Sequence, residues 1–123
     1  MPVSYRMLLE RIRDLKIKQD DLPELSYEDE NDLIENPIII ERPHLIHVLK
    51  RLKQERLTKD ELFDWIHFVW FSDYFSCSDE DADCITGIIQ ALEDIEDQDT
   101  IAPEYIQHCL YALEHNEQVD QYL

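Results

Sequence analysis

Apolar residues in this chain recur every three or four positions, the spacing that lines one face of an α-helix. Tyr5, Leu8, Leu9, Ile12 and Leu15 form such a stripe behind Ser4, while Arg6, Arg11, Arg13 and Lys16 fall on other faces. Leu45, Val48, Leu49 and Leu52 form a second stripe, with Pro43 at the first helical position, where its missing N–H costs nothing. Thr58-Lys59-Asp60-Glu61 reads as a capping box, in which Thr58 and Glu61 each satisfy an orphan backbone donor. The helix behind it carries Leu62, Trp65, Ile66 and Val69 on one face, and Phe63, Phe68, Trp70 and Phe71 around the others. A helix apolar nearly all round belongs at the centre of its fold.

A further helix is expected from Ser78, with Asp79, Glu80 and Asp81 in its first turn and Ile85, Ile88, Ile89, Leu92 and Ile95 as its buried stripe. The last begins near Pro103 and buries Ile106, Cys109, Leu110 and Leu113, ahead of a fraying tail from Asn116 to Leu123. Pro23 and Pro37 break the stretch from 19 to 41, leaving room for a short helix from Ser26 to Glu35 and an extended segment at Ile38, Ile39 and Ile40. Gly87 is the chain's single glycine, and no Asn-Gly or Asp-Gly hairpin signal occurs. The pattern predicts an all-α fold: one domain over residues 1–123, a compact bundle of about five helices plus an irregular acidic N-terminal segment.

Charge changes the picture more than composition does. The 123 residues carry 29 acids against 11 bases, a net charge of −18. Every base lies in residues 1–18 or 42–59, and from Asp60 to the end there are 17 acids and no lysine or arginine. Such a surface repels nucleic-acid phosphates and anionic lipid, and attracts basic proteins. Neither direct nucleic-acid binding nor membrane association is expected. Glu93, Asp94, Glu96, Asp97 and Asp99 are expected at the C-terminal end of the Ser78 helix, which the helix dipole makes unfavourable for negative charge. An anionic patch placed against that preference points to a basic partner.

Aromatic residues are equally uneven. Seven of the 12 fall between Phe63 and Phe75. One helix in a small protein cannot bury all of them, so Trp70, Tyr74 and Phe75 are candidate anchors beside Asp73 and Asp79. The expected partner surface is Trp70, Asp73, Tyr74, Phe75, Asp79, Glu80, Asp81 and Asp83, continued by Glu93, Asp94, Glu96, Asp97 and Asp99.

Catalytic and metal chemistry find little support. Asp79-Glu80-Asp81-Ala82-Asp83 opens like a calcium loop, but Cys84 and Gln90 stand where that loop needs glycine and glutamate. Cys77, Cys84 and Cys109 have neither disulfide-framework nor zinc spacing. Cys77 precedes the expected helix start at Ser78, which would stabilise a thiolate. No His-Glu-x-x-His motif or phosphate-cradling glycine loop is present. No enzyme activity, metal or cofactor is expected. The first residues lack a signal-peptide core and no apolar run reaches a membrane span, which sets the expected location as a reducing cytoplasm.

In size, helical content and charge the sequence resembles the small acidic all-α immunity proteins of bacterial toxin–immunity systems. The local resemblance lies in Leu57-Thr58-x-x-Glu61-Leu62-x-x-Trp65, and in Tyr74-Phe75 beside the acidic turn Ser78–Asp83. It implies an immunity or antitoxin-like protein that covers a basic, nuclease-type toxin through an acidic surface with aromatic anchors. The alternative is a structural or adaptor protein that homodimerises through its aromatic helix.

Overall fold

Ser4 opens the first helix as an N-cap should: its hydroxyl accepts the Met7 N–H at 3.2 Å. The computed structural model describes residues 4–18 and 22–117. The elements in chain order are α1 (Tyr5–Arg13), α2 (Tyr27–Glu35), β1 (Ile38–Ile40), α3 (Arg42–Lys53), α4 (Lys59–Trp70), β2 (Phe75–Cys77), α5 (Ala82–Glu93) and α6 (Pro103–His115). Most of the tail expected to fray lies outside the described residues.

The remaining starts follow the same local chemistry. Ser26 caps α2 by accepting the Asp29 N–H at 3.1 Å. The Thr58–Glu61 box forms in both directions, at 3.0 and 3.1 Å. Proline occupies the first turn of α3 and of α6. Helix ends are less usual. Leu15, Glu55 and Asn116 take positive φ of 62°, 61° and 52°. Each lets the chain close a helix C-terminus with reversed hydrogen bonds, such as Lys16 N–H to the Arg11 carbonyl and Arg56 N–H to the Arg51 carbonyl. Glycine is the ordinary residue there. This chain keeps its only glycine, Gly87, inside α5.

The fold is mostly helical, but it is not strictly all-α. Six helices and a two-stranded sheet are present among the described residues. β1 and β2 run parallel, pairing Ile38 with Phe75, Ile39 with Ser76 and Ile40 with Cys77. The extended segment at Ile38–Ile40 is therefore a strand, as its run of β-branched residues favours. Lack of glycine turns argues against hairpins only; a parallel pair is joined by a crossover, here α3 and α4.

The core is one continuous cluster. α5 contributes Ile85, Ile88, Ile89 and Leu92, and α4 contributes Leu62, Phe63, Trp65, Ile66 and Val69. The central position expected of α4 is what the structure has: five of its residues are buried. Trp65 also donates its indole N–H to the Ile12 carbonyl at 3.1 Å, tying α4 to α1. α3 packs most extensively on α6, and it buries Leu45, Val48 and Leu49. Among the described residues no helix is long and apolar enough to cross a membrane.

Candidate functional site

α5 begins at Ala82 rather than Ser78 and ends at Glu93. Twelve residues at about 1.5 Å each make it roughly 18 Å long. The acids expected to form one surface are therefore divided between its two ends. Asp79, Glu80 and Asp83 lie exposed near the N-terminus, while Asp94, Asp97 and Asp99 lie exposed past the C-terminus. Glu93 and Glu96 are half-buried.

Two of the expected contact residues are used inside the fold. Asp81 is 6% exposed, and its carboxylate accepts the Arg42 backbone N–H and the Arg42 Nε. A buried carboxylate needs such partners, and meeting them removes it from any outer surface. Phe75 is buried in β2, with its ring edge-on to Phe68 at 6.2 Å. Trp70 and Tyr74 are half-buried and packed against the core. Burial, with the nearby charges of Glu30 and Asp73, pushes the Tyr74 phenol above its ordinary pKa. Asp73 is exposed.

Cys77 lies in β2 and not at a helix start. Burial and the Asp81 charge push its thiol up, so the stabilised thiolate expected there does not form. Cys84 and Cys109 are buried, and burial, with Cys84 adding to it, pushes Cys109 up to about 12.

The structure assembles a surface that the sequence reading did not isolate. Asp60, Asp64, His67 and Phe71 follow one another at intervals of four, three and four along α4 and its C-cap, opposite the buried stripe. Phe71 is 64% exposed. Its ring lies 6.1 Å from that of His67, which lies 6.3 Å from Phe63. His67 Nε2 meets Glu96 Oε1 at 2.9 Å, bringing the turn after α5 against this ridge. Lys59 fixes the same turn by donating to the Gln98 carbonyl, with its ammonium 5.8 Å above the Phe63 ring. Between α4 and the turn lies a shallow depression of about 350 Å³, lined by Lys59, Asp60, Phe63, Asp64, His67 and Glu96.

Of the expected surface, Glu96 and the acids around it belong beside this ridge. No lysine or arginine pairs with Asp60, Asp64, Asp94, Asp97 or Asp99 among the described residues. Unpaired carboxylates along α4 and on the turn after α5, with an exposed aromatic at the α4 C-cap, can hold a cationic side chain by charge and its aliphatic stem by contact. The chain matches no family model, no curated protein and no solved structure.

Proposed function

We propose that this protein is a cytoplasmic immunity or antitoxin-like inhibitor, which binds a basic protein through the exposed face of α4 and the turn after α5. The observation that carries this reading is Phe71: a phenylalanine 64% exposed, its ring tilted against a histidine that is itself held by Glu96. A large apolar side chain left outside amid unpaired acids has the composition of an interface anchor ringed by charge. The surplus of acids, at −18 overall, supports the choice of a basic partner. Complementary charge would speed encounter and fix orientation, and occlusion of the partner's own anion-binding surface would be the inhibitory step. A basic nuclease-type toxin fits both requirements.

A homodimer built on the aromatic helix would need a broad apolar face. α4 instead turns Phe63, Trp65, Ile66 and Val69 inward.

Co-purification with the products of neighbouring genes tests the reading. The expected result is a strongly basic partner that is retained at low salt, released as salt rises, and lost from Phe71→Ala. A partner of acidic or neutral charge, or retention indifferent to salt, overturns it.

A further inference from the structure

A second feature of the surface has the opposite electrostatic sign. Where α1 and α3 end, the chain encloses a pocket of about 300 Å³. Its walls carry Lys16, Lys18, Arg51 and Arg56, against two acids, Glu61 and Asp64. Its apolar lining is Ile12, Leu15, Ile17, Leu57 and Trp65. Four of the chain's 11 bases thus converge on one concavity.

Acids outnumber bases 29 to 11 in the chain, yet around this pocket bases outnumber acids four to two. Lys18 meets Glu61 Oε2 at 3.9 Å, while Glu61 Oε1 accepts the Thr58 N–H. Lys16, Arg51 and Arg56 have no carboxylate partner among the described residues, as also holds for Arg11, Lys53 and Lys59 outside the pocket; what sets the pocket apart is that its bases converge. The helix dipole favours a base in a last turn, which accounts for Arg51 on α3. It also favours Lys16 and Arg56, whose N–H groups close the ends of α1 and α3, so only Lys18, farther out, is left without that account.

The backbone holds the pocket in shape at some cost. Leu15 lines it with φ of 62°, and Glu55, with φ of 61°, aims Arg56 and Leu57 toward it. Both are the left-handed residues that close α1 and α3, and the two helix ends thereby meet at the pocket. The Trp65 indole N–H is already taken by the Ile12 carbonyl, which fixes the orientation of the ring.

We infer that this pocket binds a small amphipathic anion, a carboxylate or phosphate carried on a flat apolar body. The cations match the head group, and the apolar lining matches the body. The volume lies at the lower end of the ~300–1,000 Å³ range of small-molecule sites.

The test titrates the full chain with 1-naphthyl phosphate and 1-naphthoate, alongside 1-naphthylmethylammonium and 1-naphthalenemethanol. Calorimetry gives affinity, and the Trp65 indole N–H resonance reports location separately from Trp70. At least one anion should bind saturably in the millimolar range or tighter and shift the Trp65 signal. The cation and the alcohol should not. Arg51→Gln with Arg56→Gln should weaken binding about tenfold or more, as loss of charge-assisted bonds does. Arg56→Gln alone, at an exposed position, should weaken it in the same direction and keep the fold. Lys50→Gln with Lys53→Gln removes equal charge outside the pocket and should leave binding within about twofold. Equal binding of cation and anions, no saturation by either anion, or equal loss in the two double variants would overturn the inference.

Discussion

Asp81 and Arg42 join two helix starts by a double contact: Oδ2 accepts the Arg42 backbone N–H at 3.0 Å, and Oδ1 accepts its Nε at 2.8 Å. The same guanidinium donates to the Leu113 carbonyl at 2.8 Å. One arginine therefore ties the starts of α3 and α5 to the end of α6. Asp81→Asn removes the charge and leaves a partly buried guanidinium without its counter-ion. The expected cost is about 2–4 kcal/mol in urea unfolding. A cost below about 0.5 kcal/mol would place the pair among ordinary surface ion pairs.

Acid should weaken the fold in two stages. His44 Nδ1 accepts the Glu41 backbone N–H at 2.9 Å, a role only the unprotonated nitrogen can fill. Burial, then the Arg13 charge, lowers the His44 pKa. The unfolded chain therefore takes up this proton first. The contribution of neutral His44 is full above about pH 6.5 and declines as pH falls below it. Asp81 shifts in the same direction in a lower window. Burial alone would raise its carboxyl, but hydrogen bonds from Arg42, with its charge, outweigh burial and lower it. That contribution is present above about pH 3.9 and is lost as pH falls through the folded value. In unfolding measured across this range, His44→Gln should flatten the upper stage and Asp81→Asn the lower one.

Much of this architecture can be read from local pattern, and what cannot is long-range. The stripes of α1, α3, α4, α5 and α6, the Thr58 box and the extended Ile38–Ile40 depend on neighbours a few positions apart. β2 is three residues long and exists because it meets β1 across the whole of α3 and α4. Asp81 looks like a helix-start acid until Arg42, 39 residues away, claims it. The candidate surface was half legible for a related reason. Its acids on the turn after α5 follow from charge alone. Phe71 was hidden because a helix apolar all round does not show which aromatic faces out. Trp65 lies on the stripe expected inside; only the packed core decides that, of the aromatics around it, Phe63 is buried and Phe71 is left outside.

The helix ends offer a test by stabilisation. Glu55 is exposed and held at φ of 61°, so its conformation costs energy that glycine would not pay. Glu55→Gly should raise stability by up to about 1 kcal/mol. Leu15→Gly removes the same backbone cost but also strips apolar contact from a half-buried side chain, so its net gain should be smaller or negative. If Glu55→Gly destabilises, the left-handed end of α3 is wrongly assigned.

Thiol chemistry should follow burial. Cys84 and Cys109 are 3% and 0% exposed, and burial pushes both thiols up. Cys77 is half-buried, with its thiol raised by burial and then by the Asp81 charge. With an aromatic disulfide reagent near neutral pH, the folded protein should expose Cys77 alone, and slowly, because the thiolate is the reacting form. Cys84 and Cys109 should react only on unfolding. Rapid labelling of Cys77 would contradict its placement in β2.

Phe71 and Trp65 separate binding from folding on a single helix. Trp65 is 4% exposed and bonded to Ile12, so Trp65→Ala should cost about 3–5 kcal/mol of stability. Phe71 is 64% exposed, so Phe71→Ala should leave stability within about 0.5 kcal/mol. Partner binding should show the reverse order once the basic partner is in hand. Phe71→Ala should weaken it about tenfold or more, as loss of an anchor does. Asp64→Lys with Glu96→Lys should act mainly on the association rate and reduce its sensitivity to salt. The four outcomes together distinguish an interface from a stray exposed ring. If Phe71→Ala binds as tightly as the native chain, the α4 face is not where the partner sits, however acidic that face is.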